Sequence, residues 1–320
     1  MVKKCSNPDC AAPPHCHEGH DDYAKCKFWL KNNSILIENK EKPKTESKKT
    51  NLTWTGEPFK IEDIEQISRR TTPIFIGVVG KADAGKTTFL AMLYTLLLNG
   101  KKFKNYNFTG TKTILGWDEL YHKLKVQKNK VAFPDPTPSQ YYRLLHFALR
   151  NADDQLKDVF LSDASGEVFS YWSQNRDDTN AANARWIYES SNGFILFIDC
   201  VDLINRKNLA KTEIIDIAQM LQHDLKDRPV IAVWSKSDKK GEVHPKLKGS
   251  LKEELQSLFT NYTEIDISNF STDDPDKLVH ENNLEVIDWL LKKILVPSGK
   301  ELVVNGNHKN DLFLNYKGHE

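Results

Sequence analysis

A run of eight residues has the composition and spacing of a phosphate-binding loop. It reads Gly80-Lys81-Ala82-Asp83-Ala84-Gly85-Lys86-Thr87. Its two glycines allow backbone conformations in which successive amide N–H groups surround phosphate oxygens at the positive end of a helix. Lys86 then reaches the β- and γ-phosphates of a nucleotide, and the Thr87 hydroxyl ligates magnesium. We predict a nucleotide site at these residues and at Thr88, which follows them.

A second segment, Asp163-Ala164-Ser165-Gly166-Glu167, follows an apolar stretch and suits the γ-phosphate end of the same site. Asp163 is predicted to hold magnesium through water, and the Gly166 amide to bond the γ-phosphate. An Asp-x-x-Gly tetrapeptide is a weak signal by itself. It gains specificity here because it follows the phosphate-binding loop at the expected place in the chain.

A third segment, Trp234-Ser235-Lys236-Ser237-Asp238, resembles the Asn-Lys-x-Asp motif by which GTPases recognise guanine. The resemblance implies that Asp238 accepts hydrogen bonds from the base and that the Lys236 stem packs on it. Replacing Asn by Ser235 forfeits a neutral hydrogen bond of about 0.5 to 1.5 kcal/mol, whereas the charge-assisted Asp238 pair contributes about 1.5 to 3 kcal/mol. Guanine should therefore still be preferred over adenine. A last base contact is expected near Ser268.

An alternating order of strands and helices would bring these segments together. Residues 73–80 form an apolar, β-branched run typical of a central parallel strand, and the helix at 86–99 should end at Gly100 in a left-handed cap. Further strands are predicted at 142–149, 158–161, 193–199, 229–234 and 264–267, and further helices at 210–225, 252–259 and 284–295. This order predicts an α/β fold with a mostly parallel sheet.

The succession of motifs resembles the translation-factor-related (TRAFAC) class of P-loop GTPases, which includes the Ras-like proteins, over about residues 73–297. The resemblance implies a three-layer sandwich with a six-stranded sheet, GTP or GDP with magnesium as ligands, and hydrolysis of GTP. It also implies that Thr137, in an Asp-Pro-Thr sequence, is the catalytic threonine that caps magnesium. A Pro-rich turn is the alternative reading of that sequence, and Thr111 and Thr113 are rival threonines.

A narrower resemblance rests on the Cys/His-rich start, the WTGEPF segment and the GTKTILGWDEL run. With these features the chain is similar to the double-GTPase group encoded in bacterial conflict and defence operons. That resemblance implies a nucleotide-driven switch that licenses an effector or regulatory protein, encoded nearby, in a conflict or anti-phage defence system. Residues 101–135 form an insertion before Thr137 and are a candidate partner surface.

Several residues compete for the role of promoting hydrolysis beside Lys86 and Thr137. Glu167 stands where many small GTPases have a water-positioning glutamine, so slow turnover without a partner is expected. Asp83 stands where potassium-activated GTPases carry Asn, and a cation held there is an alternative to an arginine finger. The candidate fingers are Arg176 and Arg185.

Four of the five cysteines lie near the N-terminus, at Cys5, Cys10, Cys16 and Cys26. Thiolates in a short segment without an apolar core are the ligands that structural zinc takes, and zinc binding stabilises small peptides by about 10 to 16 kcal/mol. We predict a zinc module at residues 1–30, with His20 as a substitute ligand and an unstructured tail as the alternative. The fifth, Cys200, is interpreted as a small buried apolar residue.

The remaining boundaries follow from composition. Residues 31–51 are predicted to be a charged linker, 52–298 the GTPase domain with its lead-in, and 299–320 a C-terminal tail. The net charge of +1 gives no overall field toward nucleic acid or membrane, and neither is expected as a direct partner. No apolar run reaches the length of a membrane span, so the cytoplasm is the expected compartment.

Two other functions stay open at this point. A degenerate site that binds GTP without useful turnover would make the chain a nucleotide-gated scaffold. A site that accepts ATP as readily as GTP would make it an ATPase or kinase.

Overall fold

The chain divides into two compact units, Met1–Thr53 and Trp54–Glu320. The computed structural model describes residues 5–12, 14–29, 55–64, 71–123, 126–127, 130–131, 142–269 and 280–295. Thr137, the predicted linker and the predicted tail lie outside the described residues.

The described part of the first unit consists mainly of turns. Its 3-10 helix, Tyr23–Lys25, follows Asp22, whose carboxylate accepts a hydrogen bond from the Ala24 amide at 3.0 Å. Cys26 is buried, and the rings of Tyr23 and Trp29 lie 5.1 Å apart. These contacts make a small core for the segment.

The described part of the second unit contains nine strands. They are β1 (Ile74–Val79), β2 (Asn107–Gly110), β3 (Val126–Gln127), β4 (Lys130–Val131), β5 (Tyr142–Arg150), β6 (Leu156–Ala164), β7 (Gly193–Asp199), β8 (Val230–Ser235) and β9 (Tyr262–Asp266). Seven of them form one sheet in the order β2-β5-β6-β1-β7-β8-β9, and β3 pairs with β4 in a separate hairpin. Strands β6, β1, β7, β8 and β9 run parallel, whereas β5 is antiparallel to β6 and to β2.

Eight α-helices lie in the described residues. They are α1 (Lys86–Leu98), α2 (Ile114–Lys123), α3 (Gly166–Gln174), α4 (Ala182–Ser190), α5 (Cys200–Arg206), α6 (Asn208–Gln222), α7 (Pro245–Leu258) and α8 (Asn282–Ile294). Strand β7 shows how they divide between the two faces of the sheet. Ile195 and Phe197 pack in one core with α1, α2 and α8, whereas Phe194 and Leu196 pack in another with α3 to α7. Because side chains alternate along a strand, these cores lie on opposite faces.

Strand β1 lies in the middle of this sheet, as its apolar sequence predicts. It pairs in parallel with β6 on one side and β7 on the other, so its carboxyl end falls where chain connections diverge. In open α/β sheets this is the position at which ligands bind. The predicted cap of α1 is also present, since Gly100 has a φ of 78° and Lys101 donates its amide to the Leu96 carbonyl at 3.0 Å.

The expectation of six strands is wrong, because the start of the insertion adds β2 to the sheet edge beside β5. The insertion also supplies α2, which was not predicted. Trp117 and Leu120 of that helix are fully buried, and the Trp117 ring stacks on Phe147 at 4.4 Å. Residues 101–123 therefore contribute large buried side chains to the domain core.

In the described residues, no helix is both long and apolar enough to cross a membrane.

Candidate nucleotide site

The phosphate-binding loop connects the carboxyl end of β1 to the start of α1. Gly80 has a φ of 150° and Gly85 a φ of 88°, values that favour glycine. Gly80 is also required for packing, because a Cβ there would lie 2.8 Å from the Phe197 Cβ. Asp83 adopts a φ of 60°, at a cost of about 1 to 2 kcal/mol for a residue with a side chain. The chain thus takes the strand–loop–helix arrangement that the motif requires.

Lys86 is the first residue of α1 and is buried. Its ammonium donates to the carbonyl oxygens of Gly80 at 3.0 Å and Lys81 at 2.7 Å. Desolvation lowers the pKa of Lys86 from 10.5 to about 8, and the charges of Asp163 and Asp83 oppose that shift. A buried cation of this kind is stabilised by an anionic partner, and a phosphate group has the charge to act as one.

The next residue, Thr87, faces the second motif. Its hydroxyl lies 3.3 Å from Oδ1 of Asp163, which is fully buried at the end of β6. A hydroxyl and a carboxylate are the hard oxygen donors that magnesium takes, with phosphate and water oxygens completing its shell. The donors present at these two residues therefore fit magnesium. The other Asp163 oxygen accepts a hydrogen bond from Nε of Arg143 at 2.7 Å.

Helix α3 begins at Gly166, directly against the phosphate-binding loop. A Cβ added to Gly166 would lie 1.9 Å from the Ala82 nitrogen, so only glycine fits at this contact. Ser165 caps the helix by accepting a hydrogen bond from the Glu167 amide at 3.3 Å. The side chain of Glu167 is exposed. The structure thus brings the predicted γ-phosphate residue against the loop and leaves Glu167 accessible to solvent.

The third motif also meets the loop. Lys236 has a left-handed φ of 53°, and its ammonium donates to the Asp83 carbonyl at 3.1 Å and to Oδ2 of Asp199 at 2.6 Å. Residues that are far apart in sequence therefore join the predicted base-recognition segment to the predicted phosphate loop.

Asp238 is held by the residue predicted to give the last base contact. Ser268, fully buried after β9, donates its hydroxyl to Oδ1 of Asp238 at 2.7 Å. Ser268 is followed by Asn269, whose amide oxygen accepts a hydrogen bond from Asn283 of α8 at 2.6 Å. One oxygen of Asp238 is thus fixed by a hydroxyl while its half-buried side chain stays open to a ligand.

Ser235, which replaces the expected Asn, turns inward. It is buried, and its hydroxyl donates to the Ile198 carbonyl at 3.3 Å. A Cβ at Gly85 would lie 3.6 Å from the Ser235 Cβ, so the two segments touch through small residues. The remaining predicted contacts differ in burial: Ala82 and Asp83 are exposed, Thr88 is half-buried and Ala84 is buried.

Other candidates have contacts that already occupy them. Arg185 donates to the carbonyls of Arg176 and Asp178, and the Arg176 guanidinium lies 5.8 Å from the Tyr188 ring. Thr111 and Thr113 are tied to the backbone of His146 in β5. These arginines and threonines therefore anchor local structure. Cys200 is buried, and desolvation raises the pKa of its thiol to about 12, as expected for an inert residue.

The N-terminal cysteines show contacts among themselves. The Cys10 sulfur accepts a hydrogen bond from the His17 amide at 3.3 Å, which lowers the pKa of the Cys10 thiol, and it interacts with the thiols of Cys5 and Cys16. All four are free thiols. Within the ranges that the structure describes, no group of three or more His, Cys, Asp or Glu side chains is arranged to hold a metal ion.

Sequence reasoning missed several charged residues around the site. Arg143 contacts Asp163, and Asp199 contacts Lys236. Lys81 of the loop forms an ion pair with Glu213 of α6, which also binds Arg206. The available signal was a charge inside an apolar run, as with Arg143 in the strand sequence YRLLHFALR.

The model of the family Double-GTPase 2 matches residues 74–291 of the chain. No curated protein matches this chain. Among solved structures, the crystal structure of a mutation variant of SsGBP is 15% identical with a TM-score of 0.36, over 73% of this chain and 58% of that chain. This chain thus spans less than two thirds of that protein, and a score this low adds nothing to the family match.

Burial of Lys86 predicts how stability should depend on pH in the nucleotide-free protein. Below pH 8 the folded state holds a cation that the unfolded chain would solvate, and the penalty vanishes as the pH rises from about 8 to about 10.5. Lys86→Met should therefore raise the free energy of unfolding by about 2 to 3 kcal/mol at neutral pH, and by much less above pH 10. Urea unfolding at both pH values measures this difference.

Lys102→Met is the matched control, because Lys102 is exposed and should leave stability unchanged at either pH. A Lys86→Met protein that is less stable than wild type at neutral pH would contradict the interpretation that desolvation of the Lys86 ammonium lowers the stability of the folded state.

Proposed function

Since the chain belongs to the Double-GTPase 2 family, we propose that it binds and hydrolyses GTP and acts as a molecular switch that controls a partner effector. The switch would operate in a bacterial conflict or anti-phage defence system, as the resemblance of its motifs to the double-GTPase group implies. The domain that does this is proposed to be residues 52–298.

The observation that carries this proposal is the contact between Lys236 and Asp83, whose ammonium and carbonyl lie 3.1 Å apart. It brings a segment that resembles a guanine-recognition motif against a loop that suits phosphates. Asp238, held by Ser268, would accept hydrogen bonds from the guanine N–H groups, and the Lys236 stem would pack on the base. A nucleotide with its base at Asp238 and its phosphates at Lys86 agrees with this arrangement.

Asp163 and Thr87 are the residues proposed to hold magnesium, and Thr137 is proposed to join them when a γ-phosphate is present. Magnesium held by these residues would offset part of the negative charge of the phosphates. Gly166 would donate its amide to the γ-phosphate from the first turn of α3. Because α3 starts at that contact, loss of the γ-phosphate would release α3, and a partner would read the difference.

Discrimination of guanine by Asp238 gives a direct test. Asp238→Asn should lower GTP affinity by about 10- to 100-fold, because a charge-assisted pair is lost, and should raise affinity for xanthosine triphosphate, whose extra carbonyl accepts from the amide. Competition against a fluorescent GTP analogue measures both affinities, and Ser237→Ala is the neighbouring control. ATP that competes as well as GTP in the wild type would favour the ATPase alternative.

Hydrolysis requires a group that orients the attacking water, and we propose Glu167. Its carboxylate is exposed one residue after Gly166, where it is free to accept a hydrogen bond from water near the γ-phosphate. Glu167→Ala should lower GTP turnover by about 10- to 100-fold with little change in GTP affinity, as single-turnover assays would show.

Glu189→Ala, an exposed carboxylate on α4, is the control for that experiment. Unchanged basal and stimulated turnover in Glu167→Ala would exclude Glu167 and leave a cation at Asp83 or an external arginine. Wild-type protein that retains GTP without turning it over would instead favour the scaffold function.

For the first unit we propose a structural zinc ion held by Cys5, Cys10, Cys16 and Cys26. The contacts of the Cys10 thiol with Cys5 and Cys16 support this proposal. In the described residues no three potential ligands are arranged to hold a metal, so zinc binding would have to draw the cysteines together. Metal analysis of purified protein should give about one zinc per chain, lost in Cys10→Ser and kept in Cys200→Ser. Zinc-free wild-type protein would leave the cysteines without this role.

A further inference from the structure

Arg143 is a buried cation that lies between two carboxylates from different elements. In β5 it stands directly opposite Asp163 of β6, and Nε donates to Asp163 Oδ2 at 2.7 Å. Its Nη1 donates to Glu119 of α2 at 3.0 Å. The side chains of Arg143 and Asp163 are 4% and 0% exposed, whereas Glu119 is 45% exposed. A chain of alternating charge thus runs from the surface to the carboxylate that faces Thr87.

Glu119 belongs to the GTKTILGWDEL run, and several hydrogen bonds hold this run in place. The Lys112 amide donates to Nδ1 of His146 at 3.0 Å, so the ring proton lies on Nε2, which is 2.9 Å from Asp158. Trp117 donates its indole N–H to the His146 carbonyl at 3.0 Å. Helix α2 therefore presents Glu119 to Arg143 from a fixed base.

The WTGEPF segment supports the same helix from its other side. The Leu115 amide donates to the Gly56 carbonyl at 2.8 Å, and a Cβ on Gly116 would lie 2.6 Å from Pro58. Phe59 pairs with Leu144 of β5, one residue from Arg143. Two sequence runs that the nucleotide site itself does not use thus converge on the element that carries Glu119.

We propose that Arg143 and Glu119 are positioning residues that set the magnesium affinity of the nucleotide site through Asp163. This inference rests on the proposed function. Arg143 fixes one oxygen of Asp163 and places a positive charge beside the ion, and Glu119 offsets that charge. The charge of the buried Arg143 is weakly screened, so it alters cation binding beyond its own contact, and the half-exposed Glu119 acts by offsetting that charge.

Charge arithmetic then gives opposite signs to the two single variants. Glu119→Gln removes a negative charge beside Arg143 and should weaken magnesium binding, whereas Arg143→Gln removes the competing cation and should strengthen it. Glu119→Gln/Arg143→Gln restores the net local charge of the wild type and should come close to wild-type affinity. A purely structural role for the ion pair would instead weaken magnesium binding in every variant.

The readout is the free magnesium concentration at which dissociation of a fluorescent GDP analogue is half-slowed. Glu119→Gln should raise this concentration, and Arg143→Gln lower it, by about three- to tenfold each. The double variant should lie within about twofold of wild type. Two controls remove the same kinds of charge at positions that do not contact Asp163: Asp118→Asn on the helix of Glu119 and Arg150→Gln on the strand of Arg143. Neither should change the half-slowing magnesium concentration.

Failure of this inference can be told from failure of the proposed function. Wild-type protein that does not retain GDP at any magnesium concentration would overturn the function. If the wild type retains GDP but the two single variants shift the half-slowing magnesium concentration in the same direction, or do not shift it, the proposed role of Arg143 and Glu119 is wrong. Glu119→Gln changes a half-exposed residue, so it keeps the test available if Arg143→Gln does not fold.

Discussion

A buried ammonium group, that of Lys86, is the constraint on which the rest of the site depends. Its hydrogen bonds in the described structure go to two carbonyls of its own loop, and desolvation holds its pKa near 8. The folded protein therefore carries an electrostatic cost at neutral pH that an anion bound beside Lys86 would offset. Other features serve this arrangement: the glycines that shape the loop, the strand that ends before it, and the carboxylate of Asp163 across from it.

The sheet explains why residues from distant parts of the chain reach this ammonium. The parallel strands of the sheet all end at the same edge, so Asp163 near the end of β6, Asp199 at the end of β7 and Lys236 directly after β8 lie beside the loop. A chain with near-zero net charge thus concentrates opposite charges at one edge of its sheet. The overall count of 45 basic and 44 acidic residues does not reveal this clustering of charges at one edge of the sheet.

The parts of the fold that could be predicted are those in which one local pattern decides the structure. The apolar run of β7 gave its bounds correctly, and the loop and the cap at Gly100 each follow from residues adjacent in sequence. Strand β2 and helix α2 could not be predicted in that way. The strand has two exposed and two half-buried residues, and the helix is stabilised by Trp117, which stacks on a distant strand. Arg143 was missed for the same reason, because its partners lie on two other elements.

The central position of β1 has a consequence for synthesis of the chain. Both strands that pair with it, β6 and β7, come later in sequence, so the apolar segment that carries the phosphate loop leaves the ribosome with two unpaired edges. Because synthesis adds about 5 to 20 residues per second, β6, the first strand that can pair with β1, is complete only several seconds after β1. Unpaired apolar edges favour aggregation, and the insertion between β1 and β6 lengthens this wait. The insertion that carries Glu119 therefore also prolongs the interval in which β1 has no paired neighbour.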